Sequence, residues 1–157
     1  MENGFELSLE SVKAWCERNE FNFMINEELG QLGIPTPLGQ NFLIRVIPRE
    51  DRGMLTLALP LPVRVAPALR AEISRATGLA NSATFMGAWV LNHGTGEFYF
   101  RITVSTNGVA YSDDGFKRLL QVLTVSVQGL LPKWRAIIEN GAPAESVLPK
   151  QEPAGDT

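Results

Sequence analysis

The sequence contains a single cysteine, Cys16, and a single histidine, His93. These counts exclude an intramolecular disulfide and any zinc site built from several Cys or His ligands. A Ser–His or Cys–His catalytic centre would have to use His93 as its general base. His93 lies in the turn-forming segment 92–96, Asn-His-Gly-Thr-Gly, and the sequence fixes no serine or cysteine nucleophile beside it. We therefore expect an exposed histidine in a turn.

The sequence also lacks an excess of positive charge and a long hydrophobic run. It has 14 Lys and Arg against 17 Asp and Glu, a net charge of −3 at pH 7. Nonspecific binding to nucleic acid depends on clustered Lys and Arg, so direct nucleic-acid binding is not expected. No apolar run reaches the roughly 18 residues of a membrane span, and the first ten residues contain three Glu and no Lys or Arg. We expect a cytoplasmic protein without membrane contact.

Three further candidates for chemistry have simpler structural interpretations. The Gly-Thr-Gly at 94–96 would need a third glycine at the position of Tyr99 and a following helix to form a dinucleotide motif. Asp113 and Asp114 precede a long apolar helix, where carboxylates favour capping over metal binding. Cys16 lies on the apolar face of a predicted helix, as a buried small side chain does. We expect no catalytic residue, no cofactor and no metal ion, and an enzyme acting through carboxylates alone is the alternative.

Hydrophobic periodicity predicts the order α-β-β-β-α-β-β-α. The predicted helices span residues 9–19 after an N-cap at Ser8, 67–78, and 113–140 after a cap at Asp113 or Asp114. The predicted strands cover residues 21–26, 42–47, 55–59, 84–91 and 98–105. Glycines and prolines predict a loop over 28–40 and a strand end at Pro60 and Pro62. Pro132 is predicted to kink the last helix or to split off its last turns.

This order predicts one α+β domain over residues 1–140, in which helices cover one face of a mainly antiparallel sheet. Residues 141–157 contain three prolines and few bulky apolar side chains. We expect this Pro-containing tail to be disordered.

The last predicted helix carries a second apolar strip opposite its core stripe. Val122, Val125, Gly129 and Ala136 gather on that side, where solvent-facing helices usually carry Lys, Glu or Gln. The strip predicts a face covered by protein, which is either another subunit or another element of the same chain. Val122, Val125 and Gly129 are the predicted contacts of a homodimer, and an exposed edge of the sheet is the alternative surface.

The segment 79–120, LANSATFMGAWVLNHGTGEFYFRITVSTNGVAYSDDGFKRLL, resembles the YbjN family of proposed bacterial sensory transduction regulators. The openings LESVKAWCERNEF at 9–21 and FNFMINEE at 21–28 fit the same pattern, so the resemblance covers residues 7–139. It implies a fold similar to the type III secretion chaperones, commonly dimeric and devoted to binding other proteins. It implies no catalytic residue. Pro132 and the prolines at 35–37 depart from a typical member.

These observations favour a non-enzymatic interaction module, an adaptor or chaperone-like regulator that binds other proteins as a homodimer. Two alternatives are a small-molecule sensor with its ligand between sheet and helix, and a type III secretion chaperone proper.

Overall fold

The computed structural model describes residues 4–149, in which alternating apolar side chains build one six-stranded sheet. Every neighbouring pair of strands is antiparallel, and the order across the sheet is β1-β2-β3-β4-β6-β5. β1 and β5 are therefore the two edges. The strands are β1 Met24–Asn26, β2 Gln31–Thr36, β3 Gly39–Arg49, β4 Met54–Arg64, β5 Ala88–Leu91 and β6 Glu97–Ser105.

Three α-helices lie within these described residues: α1 Leu9–Arg18, α2 Arg70–Ser82 and α3 Asp113–Asn140. The predicted N-cap of α1 is confirmed, because Ser8 Oγ accepts from the Ser11 N–H at 3.0 Å and Ser11 Oγ accepts from the Ser8 N–H at 2.8 Å. This reciprocal pair satisfies two backbone donors at the start of the helix. Short 3-10 helices occupy Glu50–Arg52, Pro67–Leu69 and Ala144–Val147.

The long helix α3 differs from the prediction at its N-cap and at Pro132. Its N-cap is Ser112, whose hydroxyl accepts from the Gly115 N–H at 2.9 Å, so Asp113 and Asp114 lie in the first turn instead of capping it. Carboxylates in that turn interact favourably with the helix dipole. The helix continues through Pro132 to Asn140, so the proline does not split off its last turns.

One face of the sheet forms the core with the helices. α1 contacts β2 and β3, α3 contacts β4 and β6, and α2 contacts β5. On the opposite face, Arg45, Arg101 and Thr103 are exposed. The predicted α+β class, with helices on one face of an antiparallel sheet, is confirmed. Fully buried side chains of the core include Trp15, Ile34, Ile44, Leu57, Leu59, Ile73, Phe98, Phe100, Phe116, Leu123 and Trp134.

The prediction of a loop over residues 28–40 is wrong, because β2 occupies Gln31–Thr36 and adds a strand to the predicted order. Pro35 is tolerated there because β1 pairs only with residues 31–33 of β2, so Pro35 has no strand on that side, and it lies next to a register shift.

The expected strand end at Pro60 is also wrong. β4 continues to Arg64, and a register shift between Pro60 and Arg64 accommodates the prolines. The predicted strand at 84–91 is shorter, since only Ala88–Leu91 pairs with β6, and α2 extends past Gly78 to Ser82.

The segment after α3 packs back onto the helices. Gly141 ends α3 in the left-handed conformation, with φ of +67°, and reverses the chain. The 3-10 helix Ala144–Val147 then contacts α2 and α3, and both Ala144 and Val147 are buried. The expectation of disorder beyond residue 141 therefore does not hold for this segment, and residues 150–157 lie outside the described part of the chain.

Candidate functional site

The predicted contact positions on α3 lie on its outer side. Val125 is 64% exposed, Gly129 is exposed and Val122 is half-buried. α3 carries no charged residue between Arg118 and Lys133. An uncharged and partly apolar outer face is unusual for a solvated helix. This face of α3 is therefore a candidate for contact with another protein.

A groove of about 470 Å³ runs beside this face, between α3, the loop after α2 and the segment after Gly141. We call it the C-terminal groove. Phe85 and Met86 stand on its loop side, and Phe85 is fully exposed while Met86 is 49% exposed. All three predicted contacts line this groove. Its lining residues are Ala80, Ala83, Thr84, Phe85, Met86, Trp89, Phe100, Val122, Val125, Ser126, Gly129, Leu130, Lys133, Val147, Leu148 and Pro149.

A second, smaller groove of about 220 Å³ lies on the other side of Val125, and we call it the hairpin groove. Phe21, Pro35 and Pro37 form its far wall and Thr124 its near wall. Val125 lines both grooves, so its side chain stands on the ridge between them. The exposed apolar surface therefore continues across α3.

Val147, Leu148 and Pro149 form the C-terminal wall of the C-terminal groove, and ion pairs and hydrogen bonds of charged side chains hold the segment in place. Arg75 forms an ion pair with Glu145 and also donates to Glu72 at 3.1 Å, while Glu72 Oε1 accepts from the Ala144 N–H at 2.6 Å. The Arg75 hydrogen bond holds the pKa of Glu145 below its ordinary value. Lys133 Nζ donates to the Leu148 carbonyl at 3.1 Å. These contacts hold the wall against α2 and α3.

The two edge strands of the sheet differ in whether a side chain covers their outer backbone groups. Asn81 of α2 donates through Nδ2 to the Trp89 carbonyl at 3.0 Å and accepts the Trp89 N–H through Oδ1 at 2.7 Å. The side chain thus occupies backbone groups that an incoming strand would use at the β5 edge. At the other edge, Met24 and Ile25 of β1 are about half exposed, at 52% and 53%.

The uncovered face of the sheet is polar in its centre. Thr56 and Thr103 share a hydroxyl hydrogen bond of 3.0 Å across β4 and β6. Arg45 crosses β4 to pair with Glu97 at 2.9 Å. The polar groups of these side chains are already paired with one another. This face is therefore a weaker candidate for docking a protein than the apolar grooves beside α3.

His93 and Cys16, two of the candidates for chemistry in the sequence, lie in positions typical of structural residues. His93 is exposed in the turn before β6, and its carbonyl accepts from Arg70 at 2.7 Å. Cys16 is fully buried, and burial raises the pKa of its thiol to about 11. A thiol held protonated at neutral pH is a poor nucleophile.

Asp113 connects α3 to α1 by accepting from Arg18 at 2.8 Å and from Asn19 at 3.2 Å. These hydrogen bonds, that of Arg18 first, hold its pKa below the ordinary carboxyl value. Among residues 4–149, no group of three or more His, Cys, Asp or Glu side chains is arranged to hold a metal ion. Helices in the same range also lack the combined length and hydropathy of a membrane span.

Comparison with solved structures finds this architecture in YbjN from E. coli, a proposed transcription regulator. The TM-score is 0.66 at 10% sequence identity, over 83% of this chain and 93% of that chain. This chain has a YbjN-like fold. A chain of the HopA1–SchA chaperone–effector complex also matches, with a TM-score of 0.54 and 14% identity, over 74% of this chain and 86% of the other.

These similarities confirm the predicted resemblance to YbjN and to secretion chaperones at the level of the fold. No family model and no curated protein sequence matches the chain. At 10% and 14% identity the two solved structures share the architecture of this chain, and functional inferences depend on its own surface.

Sequence reasoning missed Phe85, Met86 and the C-terminal wall. The predicted strand at 84–91 placed Phe85 and Met86 on alternate faces of a sheet, although only residues from Ala88 onward pair with β6. Gly87, with φ of +83°, breaks the strand there, and the glycine itself, inside an apolar run, is the one signal that the sequence offers.

Proposed function

We propose that this protein is a non-enzymatic, bacterial, cytoplasmic module that binds other proteins as a homodimer, in the manner of an adaptor or chaperone-like regulator. The single observation that carries the proposal is the exposed apolar surface beside α3. Phe85, Met86 and Val125 are large apolar side chains, each about half exposed or more, and they share one groove. A contiguous exposed apolar surface of this kind marks protein contact sites in soluble proteins.

The fold supports a protein-binding role without fixing the partner. One of the two similar structures is a complex of a chaperone with its effector. The environments of Cys16, His93 and Asp113 also favour structural roles over catalysis, since each is buried, confined to a turn or engaged in an interhelical contact.

The homodimer is proposed to form through the α3 face, with Val122, Val125 and Gly129 in contact. Sedimentation equilibrium at tens of micromolar should give a mass near twice 17.2 kDa. Val125→Glu should shift the population toward monomer, because a carboxylate buried without a partner at an interface is strongly disfavoured. Ala71→Glu is the matched control, since it adds the same charge to an exposed helix position outside both grooves. A wild-type monomer would reject the homodimer.

Binding of other proteins is tested by affinity capture from the native cell lysate with mass spectrometry. Partners recovered by the wild-type protein and by Ala71→Glu, but lost with Met86→Glu, would support binding at the C-terminal groove. Partners retained by Met86→Glu would place the contact elsewhere. A small molecule that copurifies in native mass spectrometry, without protein partners, would instead support a ligand sensor.

A further inference from the structure

We infer that Phe85 of one copy of this chain docks into the C-terminal groove of a second copy, and that the second copy returns the same contact. The inference rests on the proposed homodimer and names its anchor. Phe85 was not among the predicted contacts, and its role follows from its exposure beside an open apolar groove.

Phe85 is held in an exposed position by the loop that carries it. On one side, Thr84 Oγ1 donates to the Ala80 carbonyl at 2.8 Å and ties the loop to the end of α2. On the other side, Gly87 has φ of +83° and approaches β6 so closely that a Cβ there would lie 2.7 Å from Phe100 Cζ. The loop is therefore fixed at both ends, so a partner that covers Phe85 has little ordering entropy to overcome.

The C-terminal groove has the size and the lining to receive this side chain. Pockets of roughly 300–1,000 Å³ hold drug-sized ligands, and the groove of about 470 Å³ exceeds the needs of one benzyl group. Its floor on α3 includes Gly129, where a Cβ would meet open space, and the neighbouring Ser126 is also small. An aromatic side chain buries roughly 150–250 Å², so filling the groove removes a substantial apolar area from water.

The occupant we favour is a second copy because the anchor and the groove are adjacent on one surface. A two-fold axis places each surface against itself, so it can bring each Phe85 over the groove of the other copy and close the assembly. Such a contact also brings like charges together, and the lining of the C-terminal groove holds one charged side chain, Lys133, whose Nζ already donates to the Leu148 carbonyl at 3.1 Å. Residues 150–157 contain no large apolar side chain that could fill the groove instead.

The extent of the surface fits a stable dimer. A standard interface uses roughly 20–30 residues on each side, and the lining residues of the C-terminal and hairpin grooves that reach solvent approach that number. Val125, on the ridge between the two grooves, would lie near the centre of the contact.

The test removes the anchor and fills the groove in separate variants. Phe85→Ala deletes the anchor, and Gly129→Leu places a side chain in the groove; both positions are exposed, so both variants should fold. Sedimentation velocity across a concentration series gives the dimer dissociation constant of each. We expect each variant to raise it by at least about tenfold, and Phe85→Ala by roughly 30-fold, the scale of an interface hot spot.

The double variant and one control complete the experiment. Because Phe85→Ala and Gly129→Leu disrupt the same contact, their combination should weaken the dimer by less than the product of the separate effects. Leu29→Ala removes an equally apolar side chain, 62% exposed on the β1–β2 turn, and should leave the dimer unchanged. Urea unfolding checks that each variant is folded.

The outcomes separate the inference from the proposal on which it depends. A wild-type monomer would overturn both. A dimer that is indifferent to Phe85→Ala overturns the inference and leaves the homodimer standing. A dimer weakened by Phe85→Ala but not by Gly129→Leu overturns the assignment of the groove, because Phe85 then docks on another surface.

Discussion

Replacing Asn81 with alanine should destabilise the protein through the edge strand β5. The Asn81 side chain makes hydrogen bonds of 3.0 and 2.7 Å to the carbonyl and N–H of Trp89. Trp89 is buried, with 3% of its surface exposed to solvent. The alanine variant leaves both backbone groups without these partners, in a position where water has little access. Each protein hydrogen bond contributes about 1 kcal/mol, and a stranded polar group costs roughly 1–3 kcal/mol.

We therefore expect Asn81→Ala to lower the free energy of unfolding by about 2 kcal/mol. For a domain of this size that corresponds to a fall in Tm of roughly 4–8 °C. Urea titration followed by circular dichroism, at one fixed protein concentration, should show a lower midpoint with an unchanged m value. Ser82→Ala is the control, because the Ser82 hydroxyl bonds only to the Leu79 carbonyl of the same helix. A loss below about 0.5 kcal/mol for Asn81→Ala would refute the reasoning.

Asn81→Asp separates the two hydrogen bonds. The carboxylate still accepts from the Trp89 N–H, but it faces the Trp89 carbonyl without a proton to donate. The protonated carboxyl can donate, so its folded pKa should lie above the unfolded value of about 3.9. The stabilisation is then present at pH below that unfolded value and is lost as pH rises through the folded pKa. The deficit relative to wild type should therefore shrink on acidification, and a pH-independent deficit would contradict the assignment of donor and acceptor.

Three further predictions concern the remaining structural contacts. Asp113→Asn should flatten the acid side of the urea midpoint against pH: Arg18 lowers the pKa of Asp113, so the wild-type contribution is present above pH about 4 and is lost as pH falls through the folded pKa. Cys16 should react with a thiol reagent at pH 8 only after denaturant is added, and rapid reaction of the native protein would contradict its burial. Gly96→Ala should lower stability by more than about 1 kcal/mol, measured by the same urea titration, because Gly96 has φ of +77° and an added Cβ would overlap the Val65 carbonyl oxygen.

Local pattern was sufficient to predict the helices and the central hairpin. The three- and four-residue spacing of α1 and α3, and the two-residue alternation of β3 and β6, arise from burial of one face of each element, which the sequence records directly. β4 also follows from its alternating leucines, although it lies inside the sheet and is buried on both faces from Leu55 to Leu59. The failures have a different origin. Pro35 and Pro60 disfavour a strand in isolation, and they are accommodated only where a neighbouring strand ends or the register shifts.

The candidate site could be predicted only in part. The outer positions of α3 followed from periodicity, because a helix has a definite back side once its core stripe is known. The position of Phe85 depends on how a loop leaves α2. The burial of Ala144 and Val147 depends on contacts with α2, more than 60 residues earlier in the chain, and with α3. Such tertiary placement leaves no periodic signal in a single sequence.

The aromatic cluster beneath the C-terminal groove supplies an intrinsic spectroscopic signal for that groove. Trp89 lines the groove, and its ring centroid lies 5.1 Å from that of the fully buried Trp134 and 5.3 Å from that of Phe98. Rings this close couple their electronic transitions, so the near-ultraviolet circular dichroism and the fluorescence of this pair depend on what covers the groove. Trp15, the third tryptophan, belongs to α1, and its aromatic neighbours are Phe21 and Phe116 instead of the residues of this cluster. Phenylalanine substitution at Trp15 would therefore leave a label-free spectroscopic reporter of groove occupancy.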